Sequence, residues 1–242
     1  MNIFENYLTQ INKIILVIKR NIVLINIYNK SSSIVEIPPD DITAGWEMLA
    51  KYDLTPEDKI VCLHVRDSYY LQKNMPGQNY SHHDYRDADI KTYKKSVQTL
   101  IDKGYKVIRI GCDTNQVLDI GSQNYHDFCA SPPKENADFL EVLLMSACQF
   151  FIGTTSGPLG TAAIFDTPTL VVNAAPIEQP YLRHSRFIPK RLFHEGSEVN
   201  LMDVCRGKSL SNDNLKPILL SIFHAEITGN NYKYQDNSED DI

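Results

Sequence analysis

Residues 59–67 read Lys-Ile-Val-Cys-Leu-His-Val-Arg-Asp. The apolar, β-branched run predicts a buried strand over residues 59–65 with polar side chains at its carboxyl end. Side chains alternate along a strand, so His64 and Arg66 share one side. Ligands of open α/β sheets bind beyond the carboxyl ends of the strands, which makes Arg66 a candidate anion ligand. An Arg66–Asp67 surface ion pair is the alternative interpretation.

The chain beyond this strand alternates short apolar runs with helical patterns. Such alternation is typical of a parallel sheet with helices on both faces, so we predict an α/β, Rossmann-like fold. Further strands are predicted at 105–110, 149–152 and 168–172, and helices at 89–103, 136–147, 159–165 and 215–223.

Three segments are expected along the chain. Residues 59–225 are expected to form the Rossmann-like domain, which would bind the ligand. Residues 1–58, with a helix predicted at 42–52, form an N-terminal extension that is short for a second α/β domain. Residues 226–242 end in Asp236-Asn-Ser-Glu-Asp-Asp241 and are expected to be a flexible acidic tail.

Composition excludes several classes of partner. The 242 residues carry a formal net charge of −6 and no dense basic cluster, so nucleic-acid binding is not expected. The apolar stretches at 14–18 and 22–25 are too short to be transmembrane segments, and no secretory signal is recognised, although peripheral membrane contact stays open. The five cysteines include no Cys-x-x-Cys pair, which argues against zinc or a disulfide framework. A cytoplasmic location is expected.

The segment Gly153-Thr-Thr-Ser-Gly157 supplies three hydroxyl groups directly before a predicted helix. Helix N-termini present N–H groups and partial positive charge, which suit a phosphate group. Together with Arg66, this segment predicts a clamp for a diphosphate. In the alternative interpretation, Ser156 is only the N-cap of its own helix.

The absence of three motifs narrows the classes of ligand that the chain could bind. No Gly-x-Gly-x-x-Gly follows the first strand, and no Gly-x-x-x-x-Gly-Lys-Ser/Thr or Gly-x-Ser-x-Gly occurs in the chain. These absences disfavour dehydrogenases, P-loop enzymes and α/β-hydrolases. A nucleotide or nucleotide sugar remains.

Two further places could contribute to a site. The stretch 67–89 is rich in Tyr, His and Asn, which suits a mobile flap over a sugar, although a permanently packed excursion is the alternative. His82, His83 and Asp84 are adjacent and therefore poorly placed to converge on one metal ion. Asp113 is a candidate ligand for a ribose hydroxyl or a base, or else a helix cap.

Several segments in this order resemble a family of bacterial glycosyltransferases associated with surface polysaccharides. The matching segments are 62–68 (Cys-Leu-His-Val-Arg-Asp-Ser), 83–90 (His-Asp-Tyr-Arg-Asp-Ala-Asp-Ile), 107–111 (Val-Ile-Arg-Ile-Gly) and 138–157. More distantly, His64-x-Arg66 and residues 143–156 look like the C-terminal donor half of fucosyltransferase-type enzymes with the two-domain GT-B fold. The resemblance implies that Arg66 neutralises the donor diphosphate beside His64, and that Thr154, Thr155 and Ser156 complete the phosphate site. It also implies metal independence and no cofactor.

These expectations favour an inverting glycosyltransferase that moves a sugar from a nucleotide-sugar donor to a glycan or lipid-linked glycan. Arg66, Asp67 and Asp87 are the candidate catalytic residues, with Asp84 as a further candidate base. The expected donor-binding residues are His64, Arg66, Tyr85, Arg86, Asp113, Gly153, Thr154, Thr155, Ser156 and Gly157. The alternatives are a non-catalytic nucleotide-sugar-binding module, completed by a partner subunit or a second copy in a homodimer, and an epimerase-like enzyme.

Overall fold

The computed structural model describes residues 35–175, 184–199 and 232–242. Its main sheet has six parallel strands in the order β3-β2-β1-β4-β5-β6. The strands are β1 Ile60–His64, β2 Lys106–Arg109, β3 Tyr125–Asp127, β4 Phe150–Gly153, β5 Thr169–Ala174 and β6 Ser185–Pro189. This is the order of the doubly wound fold, and it reverses between β1 and β4. The predicted Rossmann-like α/β class is therefore confirmed.

Helices cover both faces of this sheet. The helices are α1 Pro39–Leu49, α2 Tyr69–Asn74, α3 Lys94–Asp102, α4 Ala137–Ala147 and α5 Pro158–Ile164, and 3-10 turns span Ala50–Tyr52, Ser81–Arg86 and Ile90–Tyr93. One core joins α1, α4 and α5 to Ile60 and Cys62 of β1. The other joins α3 and the 90–93 turn to Val61 and Leu63. Because strand side chains alternate, one apolar strand serves both cores.

Element boundaries differ from the predictions in three ways. The helix predicted at 89–103 begins as a 3-10 turn capped by Asp89, whose Oδ1 accepts from the N–H of Lys91, and ends at Asp102, two residues before Gly104 with φ +84°. Asn136 precedes α4 in the left-handed region and makes no side-chain cap. The strands β3 and β6 were not predicted from the sequence. The predicted helix at 215–223 and Cys205 lie outside the described residues.

The carboxyl-terminal residues are packed against the fold. A second sheet has the order β8-β7-β9, formed antiparallel by β7 Arg191–His194, β8 Ser197–Glu198 and β9 Tyr232–Gln235. Asn237 is only 4% exposed and donates its backbone N–H to Asn173. The flexible-tail prediction is therefore wrong for residues 232–242, because strand pairing and buried hydrogen bonds hold them in place.

Within the described ranges no helix is long and apolar enough to cross a bilayer. Cys62, Cys112, Cys129 and Cys148 are free thiols, and all but Cys112 are buried. Cys62, Cys112 and Cys148 lie in or beside apolar runs of the sequence, a position that predicts buried thiols; this prediction is confirmed for Cys62 and Cys148 and wrong for Cys112.

Candidate functional site

A cleft of about 560 Å³ lies beyond the carboxyl ends of β1, β2 and β4, where the strand order reverses. This is the place where doubly wound sheets bind ligands. Its charged lining residues are Arg66, Arg86, Asp67, Asp138 and Glu141. Its apolar lining includes Tyr70, Leu71, Phe128, Pro132 and Val142. The cleft therefore offers cations, carboxylates and flat apolar surface to one ligand.

Arg66 is fixed by three contacts. Its backbone N–H donates to Thr154 Oγ1 at 2.9 Å, and its Nη1 donates to the carbonyl of His83 at 3.1 Å. The guanidinium also forms an ion pair with Asp87. Burial and the nearby charge of Arg86 lower the pKa of Arg66, which nevertheless stays protonated. An immobilised cation is well suited to bind an anion.

Arg86 brings a second guanidinium to the same cleft. It ends the 3-10 turn Ser81–Arg86, and its guanidinium carbon lies 5.9 Å from the ring centroid of Tyr85. The Nε atom of Arg86 is buried and has no hydrogen-bond partner among the described residues. A buried donor without a partner is costly unless a ligand or water satisfies it.

His64 is a neutral imidazole at the end of β1. Its Nδ1 lies 3.1 Å from the carbonyl oxygen of Ile110. A carbonyl can only accept, so Nδ1 carries the proton and Nε2 is left as an acceptor. Burial lowers the pKa of His64 to about 4, which keeps the ring neutral near pH 7.

Gly111 makes room for this imidazole. Its φ is +114°, and a Cβ at this position would lie 2.7 Å from Nδ1 of His64. The same residue donates its N–H to Glu141 Oε2 at 3.0 Å. His64 and Glu141 are thus both held against one glycine at the end of β2.

Sequence reasoning missed the carboxylates of α4. Asp138 and Glu141 belong to its first turns, which reach the carboxyl edge of the sheet and line the cleft. Burial, followed by the charge of Asp138, raises the pKa of Glu141 despite the hydrogen bond from Gly111. The available signal was a pair of acids three residues apart in an otherwise apolar helix, since such residues share one face.

Asp67 lines the cleft, but both of its oxygens already accept hydrogen bonds. Oδ1 accepts from the N–H of Tyr69 at 2.9 Å, and Oδ2 accepts from the hydroxyl of Thr114. Thr114 accepts in turn from Arg109, which is 1% exposed and also pairs with Asp127. Asp67 is thus the end of a buried network, a role that argues against its use as a proton acceptor.

The segment 153–157 is placed differently from the prediction. Thr154 and Thr155 are buried, and their hydroxyl oxygens accept from the N–H groups of Arg66 and Ala175. Gly153 is also buried, and a Cβ there would lie 2.4 Å from the ring of Phe151. Only Ser156 and Gly157 of this segment line the cleft. The threonines tie the end of β4 to the ends of β1 and β5, so they do not offer their hydroxyls to a ligand.

Three further predicted residues lie outside the cleft lining. Asp113 is held from α2 by Lys73 and Asn74. Tyr85 stacks on Tyr234, with ring centroids 5.9 Å apart, and Asp87 pairs with Arg66. The stretch 67–89 is therefore tied to the fold at two places, by α2 at Asp113 and by the contacts of Tyr85 and Asp87, whereas residues 72–79 between them are exposed. The rings of His82 and His83 lie with their centroids 4.0 Å apart and are tilted by 43°, and no third metal-ligating side chain joins them in the described part of the chain.

No protein-family model and no curated protein matches this chain. Among solved structures, it is similar to the ADP-heptose lipopolysaccharide heptosyltransferase II of E. coli, at 17% identity and a TM-score of 0.45, over 78% of this chain and 54% of that one. It is also similar to a family 9 glycosyl transferase from Veillonella parvula, at 12% identity and a TM-score of 0.47, over 83% and 53% of the two chains. A third similar structure is the dodecameric, iron-containing glycosyltransferase TibC from enterotoxigenic E. coli, at 15% identity and a TM-score of 0.36, over 70% and 43%. The chain thus spans about half the length of the solved proteins that it matches.

Proposed function

We propose that this chain is the donor-binding half of a sugar transferase and that its ligand is a nucleoside diphosphate sugar. The observation that carries this proposal is the cleft at the strand reversal, where Arg66 and Arg86 face the same space as Glu141 and His64. Two guanidinium groups suit the two phosphates of a diphosphate. Carboxylate and neutral imidazole acceptors suit the hydroxyl and N–H groups of a nucleoside. The quoted sequence segments, which resemble glycosyltransferases, support the same function.

This arrangement orients the donor. The diphosphate would lie between the arginines, with the hydroxyl of Ser156 at the wall of the cleft. The nucleoside would extend toward Glu141 and Nε2 of His64, and Phe128 and Pro132 would pack against its base. Arg86 would thereby gain the partner that its buried Nε lacks.

In the proposed reaction, an acceptor hydroxyl attacks the anomeric carbon as the bond from that carbon to the phosphate oxygen breaks. The configuration inverts, and the nucleoside diphosphate leaves with the bonding electrons. Arg66 and Arg86 stabilise the charge that grows on this leaving group, so the proposed reaction is metal-independent. The proton of the hydroxyl passes to a base, and glycans or lipid-linked glycans are the proposed acceptors. We place the reaction in the cytoplasm.

Asp67 and Asp87 are poor candidates for that base. Each oxygen of Asp67 already accepts a hydrogen bond, and Asp87 is paired with Arg66. This observation favours a second candidate function, in which the chain binds a donor while a partner subunit, a second copy or another part of the protein supplies the base. Under this alternative the isolated chain binds without turnover.

Incubation of the purified chain with a panel of nucleotide sugars, with and without glycan acceptors, tests the proposal. Release of nucleoside diphosphate from one donor supports a transferase. Binding without release supports the donor-binding module. Absence of both binding and release across GDP-, UDP- and ADP-linked sugars contradicts both functions.

A further inference from the structure

The carboxyl-terminal segment 232–242 contacts the loop 83–89, which carries Arg86 and the partners of Arg66. Tyr234 stacks on Tyr85, and Asp236 accepts from the backbone N–H of Asp89 at 3.2 Å. These contacts join the segment to the loop 83–89, which supplies Arg86, the carbonyl of His83 and the carboxylate of Asp87. The loop is therefore seated on the last residues of the described chain.

Lys190 joins the two pieces. It is 4% exposed, and its Nζ donates to the carbonyl of Asp87 and to Oδ1 of Asp236, both at 2.5 Å. Asp87 in turn pairs with Arg66 through its carboxylate. Two ion pairs, Asp236–Lys190 and Asp87–Arg66, are thus linked through the backbone carbonyl of Asp87, which accepts from Lys190. Lys190 and Asp236 themselves do not line the cleft.

We propose that Lys190 and Asp236 are positioning residues that hold the loop 83–89 and, through it, orient Arg66 and Arg86 toward a donor diphosphate. The inference rests on the proposed function, because it assumes that the arginines bind a diphosphate. A buried ammonium is costly when one of its partners loses its charge. Without the carboxylate of Asp236, Lys190 is therefore expected to move toward water and to give up its hydrogen bond to the carbonyl of Asp87. Arg66 then loses its fixed carboxylate partner and with it a preorganised geometry.

The test compares nucleoside diphosphates with the matching nucleosides on the folded chain. We expect Asp236→Asn to weaken diphosphate binding about tenfold and to leave nucleoside binding within about twofold, because only the phosphate end depends on the loop. Asp240→Asn is the matched control, since Asp240 belongs to the same segment but pairs with the exposed Lys95. It should change neither affinity.

A second variant tests the inference if Asp236→Asn does not fold. Tyr234→Leu removes the ring contact with Tyr85 without leaving a buried charge, and it should also weaken diphosphate binding selectively. Equal loss of diphosphate and nucleoside affinity in folded Asp236→Asn, or wild-type affinities in both variants, would overturn the inference.

Hydrogen exchange separates this inference from the proposed function. The backbone amides of Asp87, Ala88 and Asp89 should exchange faster in Asp236→Asn than in Asp240→Asn without any ligand. Faster exchange in Asp236→Asn, together with no nucleoside diphosphate binding by the wild type, would support the coupling between Asp236 and the loop 83–89 and reject the proposed function. Unchanged exchange in a chain that does bind would reject the coupling alone.

Discussion

Arg66 is the residue on which the proposed site depends most. Its guanidinium is held by His83 and Asp87, and Arg86 shares the cleft with it. Because these partners are already in place, the charge is oriented before a ligand arrives. A preorganised cation of this kind loses little conformational entropy on binding.

Replacement of Arg66 by Ala should weaken nucleoside diphosphate binding by roughly 2 to 3 kcal/mol, about 30- to 150-fold, which is the size of a charge-assisted contact. Arg66→Lys should recover only part of the affinity, because lysine cannot reproduce the planar fork. Calorimetric titration checks this, with the exposed Arg186→Ala as the control. Wild-type affinity in folded Arg66→Ala would remove this residue from the site.

His64 links the site to pH. Burial lowers its pKa to about 4, so between this value and the ordinary 6.5 the unfolded chain binds a proton that the folded chain does not. The free energy of unfolding therefore rises with pH through this window, by at most about 1.4 kcal/mol per pH unit. Above the window it levels off. The His64→Asn variant lacks this dependence while it keeps an N–H for the carbonyl of Ile110.

Urea unfolding between pH 4.5 and 7.5 measures the effect. The stability advantage of the wild type over His64→Asn should shrink as the pH falls below about 6.5. The exposed His82→Asn provides the comparison. A difference between wild type and His64→Asn that stays constant across this range would show that His64 is not held neutral by the fold.

At the scale of elements, the sequence predicted the strands that have apolar runs. The observed β1, β2, β4 and β5 lie within about two residues of their predicted bounds, because buried parallel strands read as continuous hydrophobic segments. The strand β3 is Tyr-His-Asp, which is half-buried and carries no such run. The strand β6 reads Ser-Arg-Phe-Ile-Pro and is mostly exposed or half-buried, so its pairing depends on β5.

The candidate site was predictable only in part. His64, Arg66, Asp67, Arg86, Ser156 and Gly157 do line one cleft, because the carboxyl ends of parallel strands share an edge. The hydroxyls of Thr154 and Thr155 turn inward because neighbouring backbone N–H groups need acceptors there, which the local sequence does not show. Glu141 was missed because only the packing of α4 brings it to Gly111.

The helix α2 changes what is expected of the stretch 67–89. The amides of Gln72 and Met75 donate to Ser68 and Leu71, and Lys73 and Asn74 anchor the helix at Asp113. We therefore expect these two amides to exchange at least about tenfold more slowly than that of Gly77 in the free protein. Native-state hydrogen exchange measures this, with strand β1 as the protected reference. Equally fast exchange at Gln72, Met75 and Gly77 would contradict this expectation and support the interpretation of the stretch 67–89 as a mobile flap.

At the scale of the whole molecule, the described residues form a six-stranded parallel sheet, which carries the cleft, and a smaller antiparallel sheet, and the chain spans about half the length of the solved proteins that it matches. In the described part, the cleft is lined by two arginines, to which we assign the leaving diphosphate, and by the acceptors of His64 and Glu141, to which we assign the nucleoside. Asp67 and Asp87 are committed to internal contacts. We therefore expect donor binding to belong to this chain alone, whereas transfer depends on what faces the cleft.

The most direct measurement is an NMR titration of the whole isotope-labelled chain with a nucleoside diphosphate, following every backbone amide. The account predicts saturable shift changes at residues 64–67, 110–114, 138–142 and 156–157, which line or flank the cleft. The amides of β7 and β8, on the separate antiparallel sheet, should stay unchanged. Shift changes centred on that sheet, or none with GDP, UDP or ADP at millimolar concentration, would contradict the assignment of the cleft as a donor site.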